Sequence, residues 1–150
     1  MASIRKEIHI DAPVEKVWDA LRDVGALHTR LVPGFVTATR LNGNSREITF
    51  GNGMTVREDI VSVDKRHRRV IWAIVGQRFH HYQGTATVEL EDPGCRFVWA
   101  ADLLPDELAP EVEAMVTATI PPTSGLFSRE GGIGSTEGIG KGGYVVFSLP

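Results

Sequence analysis

Between Phe35 and Leu104 the chain runs through six short β-prone segments. They are separated by Asn42-Gly43-Asn44, Gly51-Asn52-Gly53, Asp64 to Arg68, Gly76-Gln77-Arg78 and Asp92-Pro93-Gly94. This punctuation constrains the fold more than any other feature. Parallel neighbours need a crossover of a dozen residues or more, whereas gaps of a few turn-forming residues join antiparallel strands. Adding the β-prone segment Ile4 to Ile10 gives a predicted sheet of seven antiparallel strands, strongly curved, in an α+β domain.

Side-chain alternation assigns the faces. With Glu91 to Gly94 as a turn, Leu90, Val88, Ala86 and Tyr82 stand opposite Cys95, Phe97, Trp99 and Leu103, all on one face. The other face then pairs Glu89 with Arg96 and Gln83 with Asp102. A slip of one residue would scatter these polar partners over both faces, which supports the register. Parity carried back through Gly76 to Arg78 sends Val70, Trp72, Ile74 and His80 inward. The Gly51 to Gly53 turn sets Phe50 opposite Met54, Ile48 opposite Val56 and Arg46 opposite Glu58, with a bulge near Ile60 and Val61 as the feature that would shift this part.

Two segments change to a helical period. Val14, Val17, Trp18 and Leu21 fall at i, i+3, i+4 and i+7, with Asp11 as the expected N-cap and Pro13 in the first turn. Gly25 closes that helix, and "ALHTRLVPG" has room only for a further short turn or helix before Pro33-Gly34. After the strands, "PDELAPEVEAMVTATI" places Leu108, Val112, Met115, Val116 and Ile120 on one stripe behind an Asp106 N-cap, with acidic residues in the first turns. Pro121-Pro122 predicts an end near Thr119, since proline lacks the N–H and crowds the preceding turn.

The expected organisation is one domain over residues 1–120 and an atypical tail over 121–150. The tail holds eight of the sixteen glycines, between Gly125 and Gly143. It reads as an altered or disordered end, or as a linker carrying "YVVFSLP" (Tyr144 to Pro150) to a sheet edge. Its Gly138-Ile139-Gly140-Lys141-Gly142-Gly143 run matches G-x-G-x-x-G literally. It lacks the strand before and the helix after that a dinucleotide fingerprint requires, and no Ser or Thr follows Lys141 as in a P-loop.

Composition narrows the partners. A chain of 150 residues that is 42% hydrophobic can bury a substantial core, and a net charge of −3 gives no case for binding nucleic acid. No apolar run approaches a membrane span, and "MASIRKEIHI" is too polar for a signal peptide. Cys95 is the single cysteine, so no disulfide forms within the chain; the cytoplasm is the expected compartment. The run Lys65 to Arg69, "KRHRR", reads most simply as a solvated strand turn.

The stretches "IHIDAPVEKVWDALRDV", "TVREDIVSVDKRHRRVIWAIV" and "HYQGTATVELEDPGCRFVWAADLLP", in that order and followed by an acidic helix start, resemble the START-like or helix-grip (SRPBCC) superfamily. That superfamily includes birch-pollen-allergen-like proteins and polyketide cyclases/dehydratases. The likeness covers about Ser3 to Ala118 and implies a curved sheet wrapped around a C-terminal helix, with an apolar cavity between them. It implies no single chemistry, because this fold carries many. A helix ending at Pro121-Pro122 would be a shortened form of the family element. An uncovered cavity mouth would then expose apolar surface and favour a homodimer.

Strand parity and the helix stripe nominate Arg46, Glu58, Trp72, His80, Tyr82, Trp99 and Met115 as ligand-binding residues, with Glu58, His80 and Tyr82 as candidates for acid–base work. The plainer reading of the polar ones is an internal network, Arg46 with Glu58 and His80 with Tyr82. Trp18 reads as core, while Trp72 and Trp99 are equally core and cavity wall. His80-His81 points to opposite faces and makes a poor chelate, so neither metal nor cofactor is expected. Three functions follow: a carrier or sensor holding a small, largely apolar molecule; a polyketide cyclase/dehydratase-like enzyme closing a ring by aldol addition and dehydration; or an interaction module with a closed core.

Overall fold

The computed structural model describes residues 1–76 and 78–127, with residues 119–127 by their backbone course alone. The expectations for the tail beyond Phe127, including the Gly138 to Gly143 run and the Tyr144 to Pro150 segment, lie outside the described residues, as does Gln77 of the turn before His80.

Strand β1 (Ala2–Ile10) leads into helices α1 (Val14–Arg22) and α2 (Leu27–Arg30). Strands β2 (Val36–Asn42), β3 (Ser45–Phe50), β4 (Thr55–Asp64), β5 (Arg69–Ile74), β6 (His81–Leu90) and β7 (Cys95–Leu104) follow. A 3₁₀ turn (Asp106–Leu108) runs into helix α3 (Ala109–Phe127). The strands form one seven-stranded antiparallel sheet in the order β1-β7-β6-β5-β4-β3-β2. The six consecutive strands therefore make a meander, and β1 closes it by pairing with the last. This is the α+β helix-grip architecture, with α1 and α2 leading the chain from one edge strand, β1, to the other, β2.

The registers follow from the turns. Tyr82 pairs with Leu103, Gln83 with Asp102, Ala86 with Trp99, Val88 with Phe97 and Glu89 with Arg96. Arg96 donates to Glu89 Oε2 at 3.1 Å. Arg46 pairs with Glu58 and Ile48 with Val56, and the Phe50 N–H donates to the Met54 carbonyl at 2.8 Å. The bulge falls between Ile60 and Ser62, leaving Val61 as the extra residue, 57% exposed. Leu90 does face Cys95, yet it stands at the end of its strand beyond any covering element and is 75% exposed.

Three local expectations are corrected. Pro13, not Asp11, is the N-cap of α1, and its carbonyl accepts from the Lys16 N–H at 3.0 Å; no side chain caps this helix. Asp106 opens the 3₁₀ turn rather than capping α3. The third concerns length, because α3 does not end near Thr119 but continues through Pro121-Pro122 to Phe127. The helix persists there although neither proline has the N–H that the Thr117 and Ala118 carbonyls would otherwise accept. The premise of a helix cut short, on which the expected homodimer rested, falls with it.

The run at Lys65 to Arg69 is a turn ordered by its own charges. Asp64 accepts the His67 backbone N–H at 3.1 Å, and the His67 ring lies 2.7 Å from the same carboxylate. Arg68, at φ 48°, extends its guanidinium to Glu15 of α1 at 2.7 Å.

The core lies between the concave face of the sheet and the helices. Val17, Trp18 and Leu21 of α1, Leu108 of the 3₁₀ turn, and Val112 and Val116 of α3 are buried against Ile10, Val88, Cys95 and Leu103. No helix among the described residues is long and apolar enough to cross a membrane.

Candidate ligand-binding site

A cavity of about 130 Å³ lies between the sheet and the helices. Its floor comes from alternate residues of the inner strands, with Ile48, Val56, Val70 and Phe97 among them. Leu27, Leu31 and Phe35 bound one side, and Val112, Met115 and Val116 of α3 bound the other. Period-two alternation supplies the floor, and the 3.6-residue period of α3 presents its apolar stripe to it.

One polar pair is built into this apolar wall. Arg46 on β3 is 5% exposed and Glu58 on β4 is 7% exposed. The Arg46 Nε donates to Glu58 Oε2 at 2.7 Å, its Nη2 lies 2.6 Å from the same oxygen, and its Nη1 donates to the Val24 carbonyl at 3.1 Å. The guanidinium also rests over the Trp72 ring, 5.7 Å from its centroid, an arrangement that stabilises a desolvated cation. Trp72 in turn meets Trp99 at 6.2 Å between centroids. Burial pushes the Glu58 carboxyl above its ordinary range, and the Arg46 charge opposes that push.

Tyr82 on β6 is 3% exposed and packs against Phe79 at 4.9 Å. Burial, and secondarily the nearby Glu58 charge, hold its phenol well above the ordinary value, so it is a neutral hydroxyl at physiological pH. That hydroxyl has no hydrogen-bond partner among the described residues. At the rim, Arg78 and Glu111 face each other from the β5–β6 connection and the start of α3, with Nη1 3.0 Å from Oε2.

Six of the seven nominated residues line the cavity: Arg46, Glu58, Trp72, Tyr82, Trp99 and Met115. His80 does not. It is exposed, its backbone N–H donates to the Leu104 carbonyl at 2.9 Å, and β6 begins only at His81. Parity was carried across residues outside the ladder, where alternation has no meaning; Phe79 takes the inward position instead. The expected His80–Tyr82 pair is accordingly not formed. The reading also passed over Leu27, Leu31 and Phe35. Their only signal is that "ALHTRLVPGF" is apolar between two turn sequences, too short for a period to emerge.

An antiparallel sheet gripping a helix over a largely apolar cavity defines a ligand-pocket domain of the helix-grip class. The chain belongs to the family described as polyketide cyclase/dehydrase and lipid transport, whose model matches residues 1–121. Among solved structures it resembles an uncharacterised protein from Bacillus thuringiensis at 18% identity and a TM-score of 0.75, over 84% of this chain and 98% of that one. A solution structure from Thermobifida fusca matches at 25% identity and a TM-score of 0.67, over 83% and 88%. Norcoclaurine synthase from Thalictrum flavum, solved in complex with dopamine and hydroxybenzaldehyde, matches at 17% identity and a TM-score of 0.62, over 85% and 84%. No curated protein matches the chain.

Proposed function

We propose that this protein binds a small, largely apolar molecule in the cavity between sheet and helices and serves as its cytoplasmic carrier or sensor. The observation that carries this reading is the cavity itself: largely apolar, set between sheet and helices, and with its buried charges spent on each other. Arg46 occupies Glu58, and the one imidazole nominated for proton transfer is outside. What remains suits holding a ligand by shape. Native mass spectrometry of the purified protein, followed by denaturation to release any adduct, tests this directly. A bound species of a few hundred daltons supports it; an empty protein that also takes up no fluorescent apolar probe rejects it.

A second reading, a polyketide cyclase/dehydratase-like enzyme, draws support from the family description and from a carboxyl with a raised pKa beside a phenol in one cavity. Glu58 would move the protons of an aldol closure and Tyr82 would polarise the carbonyl. On this reading Glu58→Gln abolishes turnover of a bound polyketone while leaving its affinity nearly intact. Equal loss of both, or no turnover by the unaltered protein, speaks against catalysis.

A further inference from the structure

Among the described residues four charged ones line the cavity, Arg46 with Glu58 in its wall and Arg78 with Glu111 at its rim. Each cation already faces an anion, at 2.6 Å in the first pair and 3.0 Å in the second. The lining therefore carries no net charge. A ligand carboxylate entering here would meet no uncommitted cation among these four, and an ammonium no uncommitted anion. Either would surrender its hydration without a counter-charge.

Among the described residues the same wall also carries neutral hydrogen-bond donors, the Tyr82 hydroxyl and the indole N–H groups of Trp72 and Trp99. Tyr82 is 3% exposed, and its hydroxyl finds no hydrogen-bond partner among the described residues. The fully buried polar atoms without a partner do not include the Tyr82 hydroxyl oxygen, so this group opens onto the cavity, where a ligand oxygen can meet it. Size adds a third constraint, since about 130 Å³ is close to the ~150 Å³ apolar cavity known to accept a benzene ring.

Resting on the binding role proposed above, we infer that the ligand is an uncharged, ring-sized apolar molecule bearing one oxygen that accepts a hydrogen bond from Tyr82. The paired lining disfavours fatty acids and other ionised amphiphiles, and the volume disfavours extended multi-ring polyketones. Tyr82 acts as a specificity-determining residue, selecting a ketone or ether over the hydrocarbon of the same shape.

Three probes of equal heavy-atom count separate these features: para-ethylacetophenone, para-ethylbenzoate and para-ethylcumene. They are compared at neutral pH by displacement of a fluorescent apolar probe, with the four-ring ketone estrone as the size control. The ketone is expected to bind best, with benzoate and estrone each at least about ten-fold weaker. Tyr82→Phe should weaken the ketone by about three- to ten-fold and leave the hydrocarbon unchanged, a split that a merely structural role of Tyr82 would not produce. Benzoate or estrone binding as tightly as the ketone, or a Tyr82→Phe effect equal on ketone and hydrocarbon, overturns this inference while the binding role stands. Uptake of none of the compounds, fluorescent probe included, sinks the binding role and this inference together.

Discussion

Gly84 stands directly opposite Trp72 across β5 and β6, and the place of its missing Cβ is occupied by the Trp72 indole. The indole can take that place because its neighbour has no side chain, and its face lies beneath the Arg46 guanidinium. Gly84→Ala forces the indole away. The expected cost is about 1–3 kcal/mol, typical of overpacking a filled core, together with weaker uptake of an apolar probe. Urea denaturation and probe titration measure the two effects; an unchanged midpoint would mean that the ring has room to move.

The Arg46–Glu58 pair predicts a pH dependence of definite sign. Glu58 has a folded-state pKa above its ordinary 4.5, so its favourable contribution is complete below that value and is lost as pH rises through the raised one. Arg46→Met removes the opposing cation and raises that pKa further. The variant should be destabilised by about 3–5 kcal/mol at pH near 8, and by distinctly less near pH 4, where the carboxyl is protonated. The double variant Arg46→Met, Glu58→Leu should recover most of the loss and flatten the pH profile. Urea melts of all three proteins across this range decide it; a deficit that grows on acidification has the wrong sign.

Asp19 titrates in the opposite sense. It accepts from Arg30 at 2.6 Å and from Arg22 at 2.6 Å, tying α1 to α2, and these contacts lower its pKa below 3.8. Its contribution is therefore present above that value and disappears as pH falls through the lowered one. Asp19→Asn should melt earlier than the unaltered protein at neutral pH, and the gap should close by about pH 2. A gap independent of pH would assign the effect to packing rather than charge.

At the cavity rim, Arg78 and Glu111 are each close to half exposed. Exposed pairs contribute about 0–1 kcal/mol, so Arg78→Ala should leave the urea midpoint almost unchanged. Ligand exchange is the more sensitive reading, because the pair spans from the β5–β6 connection to α3. Stopped-flow release of a fluorescent probe should be faster in the variant. Raising salt should speed release from the unaltered protein and not from the variant. Identical rates at every salt concentration would show that the ligand leaves by another route.

The distribution of what could be read from the sequence has a physical cause. Wherever a ladder is continuous and one face is buried, parity is nearly a proof: Glu89 with Arg96 and Arg46 with Glu58 could be paired on paper because each register error would cost several contacts at once. His80 failed because it lies one residue before its strand, where the backbone is free of the ladder. The course of α3 past Pro121-Pro122 was missed for a different reason, since the proline rule weighs a local penalty alone. Leu27 and Leu31 entered the site from a four-residue helix and its C-cap, too short for any periodic pattern.

The pairing of β1 with β7 sets a timetable for this chain as it is made. Ser3 and Asp102 hydrogen-bond across 99 positions of sequence, so β1 leaves the ribosome about 5–20 s before its partner exists. Through that interval Ile4, Ile8 and Ile10 lack their strand, and only Arg5, Lys6 and Glu7 among them discourage pairing with another nascent chain. The meander from β2 onward can zip as each hairpin appears, but the sheet acquires its last edge, and α3 a surface to grip, only after Leu104 has emerged. Refolding in isolation should be governed by this one long-range closure rather than by the hairpins, and a circular permutant that joins β1 directly after β7 should fold faster than the natural order.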